Sequence, residues 1–259
     1  MGRHALSFAV VVAMYNEAVS AEGCVRSISG TLQDLPGRSC LIVVNDGSTD
    51  CTAEILERLR TEDPDLTIIT HSQNEGYGEA LYTGVSEAAR RKFNYVLFMD
   101  SDLTNDPAYL PRFVEKMRDG FDVIKATRYS GGGSVDGVPF WKRLISVVGN
   151  RLAKFLFRIS INDCTNGFRA IRTDLLVKIH PRETGFAVIM EELFYLKHMT
   201  NSFAEIPYTL KTHNTKLRMS SFKYTAKVFW DYLKYPLRWF LGLRLPSGTF
   251  SSRAGDRDV

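Results

Sequence analysis

Along the first half of this 259-residue chain, short apolar runs recur, each closed by a polar turn and followed by a helix-like stretch. Residues 8–14 read FAVVVAM, 40–44 read CLIVV, 66–70 read LTIIT and 95–99 read YVLFM. Runs this short and continuous suit strands covered on both faces, as in parallel sheets. Helices are expected between them, over about 17–29, 51–60, 79–91 and 107–117. Pro107 suits the first turn of the last of these, and a further strand is expected over 122–126. Strand and helix alternating at this spacing predict an α/β fold: a mostly parallel, doubly wound central sheet flanked by helices. Such sheets bind ligands at the carboxyl ends of their strands.

The strand beginning at Tyr95 runs out into Asp100-Ser101-Asp102. Two carboxylates crowded at a strand end repel each other unless a cation or hydrogen-bond donors offset them. A hard divalent cation that also grips phosphate oxygens is one solution; an ordinary aspartate-rich turn is the other. Asp46 closes the second strand, and Tyr15, Asn16 and Glu17 follow the first. Acidic residues there accept bonds from a ribose or base, or merely cap a turn.

Hydrophobic residues make up 44% and charged residues 24%, enough for a packed core. A net charge of +4 is too mild to call for a nucleic-acid partner. Cys24, Cys40, Cys51 and Cys164 form no C-x-x-C pair, so a reducing, cytoplasmic compartment is expected. The first residues lack a signal-peptide layout, and no run approaches the roughly eighteen apolar residues of a spanning helix.

The second half is organised differently. Gly131-Gly132-Gly133 marks a loop, and 140–157 reads as a helix with Leu144, Val148, Leu152, Phe155 and Leu156 on one stripe. A turn and short strand are expected over 163–172, a helix over 188–199 and a strand from Glu205. Three regions are anticipated: a catalytic domain over 1–220, an amphipathic segment over 221–245 and a disordered tail over 246–259.

The order MYNEA (14–18), VNDGSTD (44–50), NEGYGEAL (74–81), FMDSDL (98–103), TRY with its glycine loop (127–133) and TNGFRAIR (165–172) resembles the family-two inverting glycosyltransferases of GT-A fold. Within them it is most similar to the dolichol-phosphate mannose synthase group. WKRLIS (141–146) and TNGFRAIR carry that narrower likeness, and the similarity spans about residues 8–220. The resemblance implies transfer of a hexose from a GDP- or UDP-sugar to a polyprenyl phosphate, using Mg²⁺ or Mn²⁺. It implies that Tyr15, Glu17 and Asp46 line the base and ribose pocket, that Asp100 touches ribose or metal, and that Asp102 holds the metal against the diphosphate. Arg128 and Arg169 would face phosphates or acceptor, and Lys142 and Arg143 the acceptor entrance; solvated surface charge is the alternative for these bases. The chain departs from the pattern at Thr104 and Asn105, where a third metal ligand often stands. It departs again at His213-Asn214-Thr215-Lys216, where the lysine of a Gly-x-Ser-Lys loop is kept and the glycine is not. Lys216 is thereby a candidate donor-phosphate ligand.

The acceptor decides whether a base is needed. A lipid phosphate, with a second pKa of about 6, is already mostly anionic near neutral pH. A hydroxyl acceptor, in a soluble transferase of the same fold, would need a base. Glu191 and Glu192 are the candidates, with a partly solvated helix face as the alternative. Finally, Phe222, Ala226, Phe229, Leu233 and Leu237 recur at helical spacing among lysines, arginines and aromatic rings, and Pro236 should kink or divide that helix. The pattern suits a helix lying peripherally in the headgroup plane of a membrane, or one packed on the sheet domain.

Overall fold

The computed structural model describes residues 6–63, 65–211 and 226–243. The expected alternation is present. β1 (Ser7–Met14), α1 (Ala21–Gln33), β2 (Arg38–Asn45), α2 (Thr52–Glu62), β3 (Thr67–Thr70), α3 (Tyr77–Arg90) and β4 (Tyr95–Met99) follow in turn. A 3₁₀ turn at Pro107–Tyr109 leads into α4 (Leu110–Arg118), β5 (Val123–Thr127) and β6 (Ser134–Asp136). Then come α5 (Phe140–Phe157), β7 (Arg169–Arg172), α6 (Thr173–Leu176), α7 (Val188–Met199), β8 (Phe203–Pro207), β9 (Thr209–Lys211) and α8 (Ala226–Phe240).

The main sheet has seven strands in the order β3-β2-β1-β4-β7-β5-β8. Neighbours pair in parallel except β7, which lies antiparallel between β4 and β5 and sets Phe98 opposite Arg169 opposite Lys125. β6 and β9 form a separate parallel pair. Because side chains alternate along a strand, the sheet has two apolar faces. Phe8, Val10, Val12 and Met14 pack on the face covered by α1, α2 and α4. Ala9 and Val11 pack on the opposite face, where α3, α7 and the inner sides of α5 and α8 supply Leu81, Leu193, Phe157 and Tyr235.

β6, α6 and β9 were not expected from the sequence, and other elements differ in detail. The first helix starts at Ala21 rather than Glu17, because residues 16–18 are tied sideways to the loop after β2. Glu17 N–H donates to Thr52 Oγ1 at 2.8 Å and Ala18 N–H to Asp50 Oδ2 at 3.2 Å. Pro236 sits inside α8 without dividing it. Four of the five stripe residues on α5 face outward: Leu144, Val148, Leu152 and Phe155 are exposed, while Leu156 is buried with Asn150, Ala153 and Phe157. The expected disordered tail, residues 246–259, lies outside the described residues.

Candidate active site

β4 is buried along its whole length and ends at Met99, so Asp100 and Asp102 emerge at the carboxyl edge of the sheet. Asp100 accepts hydrogen bonds from Asn105 Nδ2 at 2.8 Å and from the Tyr77 hydroxyl at 3.2 Å. Burial raises its pKa, and the charge of Asp102 adds to the effect; Asn105, Tyr77 and the more distant Arg169 oppose it. Asp102 is partly exposed and among the described residues accepts locally, from Thr104 N–H at 3.0 Å and Thr104 Oγ1 at 2.6 Å. The two residues where the chain departs from the family pattern therefore serve the aspartates as donors.

This carboxylate pair fits a hard cation. Asp100 is desolvated beside a like charge, and its two donors among the described residues are neutral. Among the described residues no three His, Cys, Asp or Glu side chains form a closed metal cage. An open two-carboxylate site of this sort leaves coordination positions for water and phosphate oxygens, as magnesium sites commonly do.

Asp46 follows β2 and is almost wholly buried. Its Oδ1 meets His71 Nδ1 at 2.7 Å and accepts Glu75 N–H at 2.9 Å, while Oδ2 accepts Gly76 N–H at 2.9 Å. His71 Nε2 in turn meets Thr83 Oγ1 at 2.9 Å. Asp46 thus fastens the glycine turn that leads into α3. Gly47 is needed beside it: φ is +66°, and a Cβ there would stand 2.2 Å from the backbone of Gln73. Tyr15 is half exposed, and the Glu17 carboxylate accepts the Ser20 hydroxyl at 2.8 Å. The loops carrying Tyr15 and Asp46 are stapled together by Thr49 N–H to Asn16 Oδ1 at 2.8 Å.

The arginines are paired rather than bare. Arg128 forks onto Asp163, with Nε to Oδ2 at 2.7 Å and Nη2 to Oδ1 at 2.9 Å, and Nη2 also reaches Thr165 Oγ1. Arg169 is fully buried. Its Nε and Nη2 donate to the two oxygens of Glu192 at 2.6 and 2.9 Å, its Nη1 to Gly167 O at 2.8 Å, and its guanidinium lies 4.1 Å from the Phe98 ring centre. Burial alone would lower the pKa of both arginines; the partner carboxylates outweigh it and raise them. Arg169 therefore stands beneath the site, supporting Gly167, where a Cβ would be 3.4 Å from Asp100. Lys125, the next strand over, is buried and donates to Asn166 O at 2.8 Å; burial, then Arg169, lowers it to about 8.

Glu191 is also buried, and its Oε2 accepts the backbone N–H groups of Arg182 and Glu183, each at 2.9 Å. Burial raises its pKa despite those donors. Lys142 and Arg143 lie on the first turn of α5, Arg143 exposed. Lys216 lies outside the described residues. Sequence reasoning missed Tyr77, His71, Asp163 and Lys125. Lys125 was visible as a lone cation in an apolar strand and Asp163 as the acid beside the TNGF turn; nothing local marks Tyr77 or His71.

An open α/β sheet with polar turns at its carboxyl edge is the frame on which the match falls: the chain belongs to glycosyl transferase family 2, whose profile matches residues 9–179. It is 29% identical over 236 residues to the dolichol-phosphate mannosyltransferase of Pyrococcus furiosus, covering 90% of this chain and 63% of that protein. It is 32% identical over 172 residues to the polyprenol monophosphomannose synthase of Mycolicibacterium smegmatis, covering 66% of this chain and 63% of the relative. The chain thus spans less than two thirds of the length of both. The GT-A fold is shared with glucosyl-3-phosphoglycerate synthase from Mycobacterium tuberculosis, solved with Mn²⁺, uridine diphosphate and glucosyl-3-phosphoglycerate. There the TM-score is 0.64 at 21% identity, over 93% of this chain and 82% of that one.

Proposed function

We propose that this protein transfers a hexose, with inversion, from a nucleotide sugar to a polyprenyl phosphate. The observation that carries the reading is the Asp100–Asp102 pair at the end of β4, one carboxylate desolvated and the other partly open, suited to a divalent cation on a diphosphate. The names of the two relatives, a dolichol-phosphate mannosyltransferase and a polyprenol monophosphomannose synthase, support the lipid-phosphate acceptor. When bound, Mg²⁺ or Mn²⁺ would offset charge on the departing diphosphate oxygens. Asp102, partly exposed, would hold it; Asp100, oriented by Tyr77 and Asn105, would share it or meet the ribose. Tyr15, Glu17 and the turn fastened by Asp46 would receive the nucleoside. Arg128, set by Asp163, and Lys216 would address the phosphates, while Arg169 supports the Gly167 floor from below.

The structure of α7 supports a phosphate rather than a hydroxyl acceptor. A hydroxyl needs a base, whereas the Glu191 carboxylate is engaged by backbone amides and that of Glu192 by Arg169. A phosphate oxygen arrives already ionised and needs neither. Peripheral contact with a lipid surface through α5 and α8 belongs to the same reading. Among the described residues no helix is long and apolar enough to cross a membrane.

The test is a donor-by-acceptor matrix: GDP-mannose, UDP-glucose and UDP-N-acetylhexosamine against polyprenyl phosphate and soluble hydroxyl acceptors, with and without divalent metal. Product that forms only with polyprenyl phosphate and metal is expected. Equal turnover on a hydroxyl acceptor would reverse the acceptor assignment.

A further inference from the structure

Between α8 and the acidic edge lies one loop, residues 182–186, and it is held from three sides. From α7, Glu191 accepts the N–H groups of Arg182 and Glu183. From α3, Gly78 N–H donates to Thr184 O at 2.8 Å, and the fit is close: a Cβ on Gly78 would stand 2.1 Å from Glu183 O. From α8, the Tyr235 hydroxyl donates to Glu183 Oε1 at 2.8 Å, Lys234 pairs with the same carboxylate, and the Tyr232 hydroxyl donates to Phe186 O at 3.3 Å. The Phe186 ring packs on the Tyr77 ring with centroids 4.7 Å apart, and the Tyr77 hydroxyl donates to Asp100. Tyr77 is the first residue of α3, so its placement follows the glycine turn and the loop pressed against it.

We propose that Tyr77 is a positioning residue for Asp100, and that α8 sets Tyr77 through the 182–186 loop, so that donor-side binding depends on how α8 is seated. The inference rests on the donor-side reading of Asp100 given above. The contacts are continuous from α8 to Asp100, and those that Glu191, Tyr235 and Tyr77 make are partly shielded from solvent. α8 is also the element whose outer side carries exposed Phe229 and Trp230, so whatever occupies that side acts on the helix that anchors the loop. A loop held by three elements keeps two of its anchors when α8 shifts, which favours a change in position over unfolding.

Two measurements on the full chain test this. In the ligand-free protein, Tyr235→Phe removes one hydroxyl from α8 and nothing from the site. Amide exchange of residues 76–78 and 182–186 should quicken about fivefold while β1 and β2 stay as in the wild type; unchanged exchange at Gly78 overturns the link. The second measurement is Mn²⁺ binding in the presence of GDP or UDP, by calorimetry. Tyr77→Phe and Tyr235→Phe should each weaken it, Tyr77→Phe by about tenfold, the scale of one hydrogen bond to a charged group. The double variant should be no weaker than the worse single one, because both act on one chain of contacts. Additive losses, or wild-type affinity in Tyr235→Phe, would overturn the proposal. A wild type that binds Mn²⁺ with neither diphosphate refutes the donor-side reading instead, and the exchange result then decides the coupling alone.

Discussion

Two kinds of charge stand within this site, and they call for opposite consequences on substitution. Arg169 and Glu192 are both fully buried, and each is the other's main compensation. Removing one leaves an unpaired charge in the core, so Arg169→Met or Glu192→Gln should cost about 3–5 kcal/mol in urea unfolding. The paired replacement Arg169→Met with Glu192→Met should recover most of that loss; a double variant as weak as the singles would show that the arginine does more than neutralise the glutamate. Asp102 is partly exposed and, among the described residues, bonded to Thr104. Asp102→Asn should leave the unfolding midpoint nearly unchanged and lower metal-dependent turnover by about a hundredfold or more, as for loss of one charge-stabilising group. Retained turnover would remove Asp102 from the diphosphate. Lys125 gives a pH signature. Its proton leaves near 8 in the folded protein and near 10.5 in a model peptide. Between those values the unfolded chain binds more protons, so this group makes stability rise with pH across that window and is a cost below it. The stability of wild type minus that of Lys125→Met should therefore grow by up to about 3 kcal/mol from pH 8 to 10.5. A flat difference would mean that Lys125 keeps an ordinary proton affinity.

The elements were legible in the sequence wherever one local pattern decides them. β1, β2 and β4 are apolar runs ended by polar turns, and α5 and α7 fall over the expected residues. β7 was legible as a short strand but not as an antiparallel one in mid-sheet. RAIR holds two arginines, and only the pairing of Arg169 with Glu192 lets such a segment lie between β4 and β5. The place of the aspartates at a strand end was legible for the same reason as the strand itself. Their donors Tyr77 and Asn105 were not, since nothing in local spacing says which loop meets which. α5 shows the limit most plainly. Its apolar stripe marks an amphipathic helix, but the side turned inward is set by Asn150. Asn150 Oδ1 accepts Cys164 N–H at 2.7 Å and Thr165 N–H at 3.1 Å, and its Nδ2 donates to Ser146 O at 2.9 Å. A buried amide that satisfies two loop N–H groups holds the helix face against the 163–165 turn, and that turn carries Asp163, the partner of Arg128. Asn150→Leu should cost about 1–3 kcal/mol for the stranded N–H groups. It should also weaken binding on the Arg128 side before the fold itself fails, read as a raised KM at a temperature well below the melt. A variant with lowered stability and unchanged KM would confine Asn150 to a structural role.

At the scale of the whole molecule, the outward stripe of α5 and the outer side of α8 form, among the described residues, a broad exposed apolar surface. Phe140, Trp141, Leu144, Val148, Leu152 and Phe155 are exposed on α5, and Phe229, Trp230 and Phe240 on α8. The two helices meet where the Phe155 and Phe240 rings stand 6.1 Å apart. Beside that contact a cavity of about 450 Å³ is lined by Arg151, Lys154, Phe155, Arg158, Ile159 and Phe240. Apolar rings among cations match an interface with acidic headgroups on one side and acyl chains on the other. The inner side of α8 meanwhile belongs to the core: Tyr235 is buried, and Tyr232 and Trp239 pack against it. Removing α8 would therefore damage the fold as well as the surface, and exposed positions give the cleaner test. Trp141→Asp with Phe155→Asp should lower flotation with vesicles rich in phosphatidylglycerol by more than about tenfold, since each ring would contribute on the order of 2 kcal/mol on insertion. The melting temperature should fall far less than on removing α8, because both residues are more than half exposed, Trp141 54% and Phe155 68%. Replacing phosphatidylglycerol with phosphatidylcholine should weaken the wild type in the same direction, through the loss of attraction to Arg151, Lys154 and Arg158. Vesicle binding that survives both changes would assign this surface to a protein partner and leave the lipid acceptor to reach Asp102 by another route.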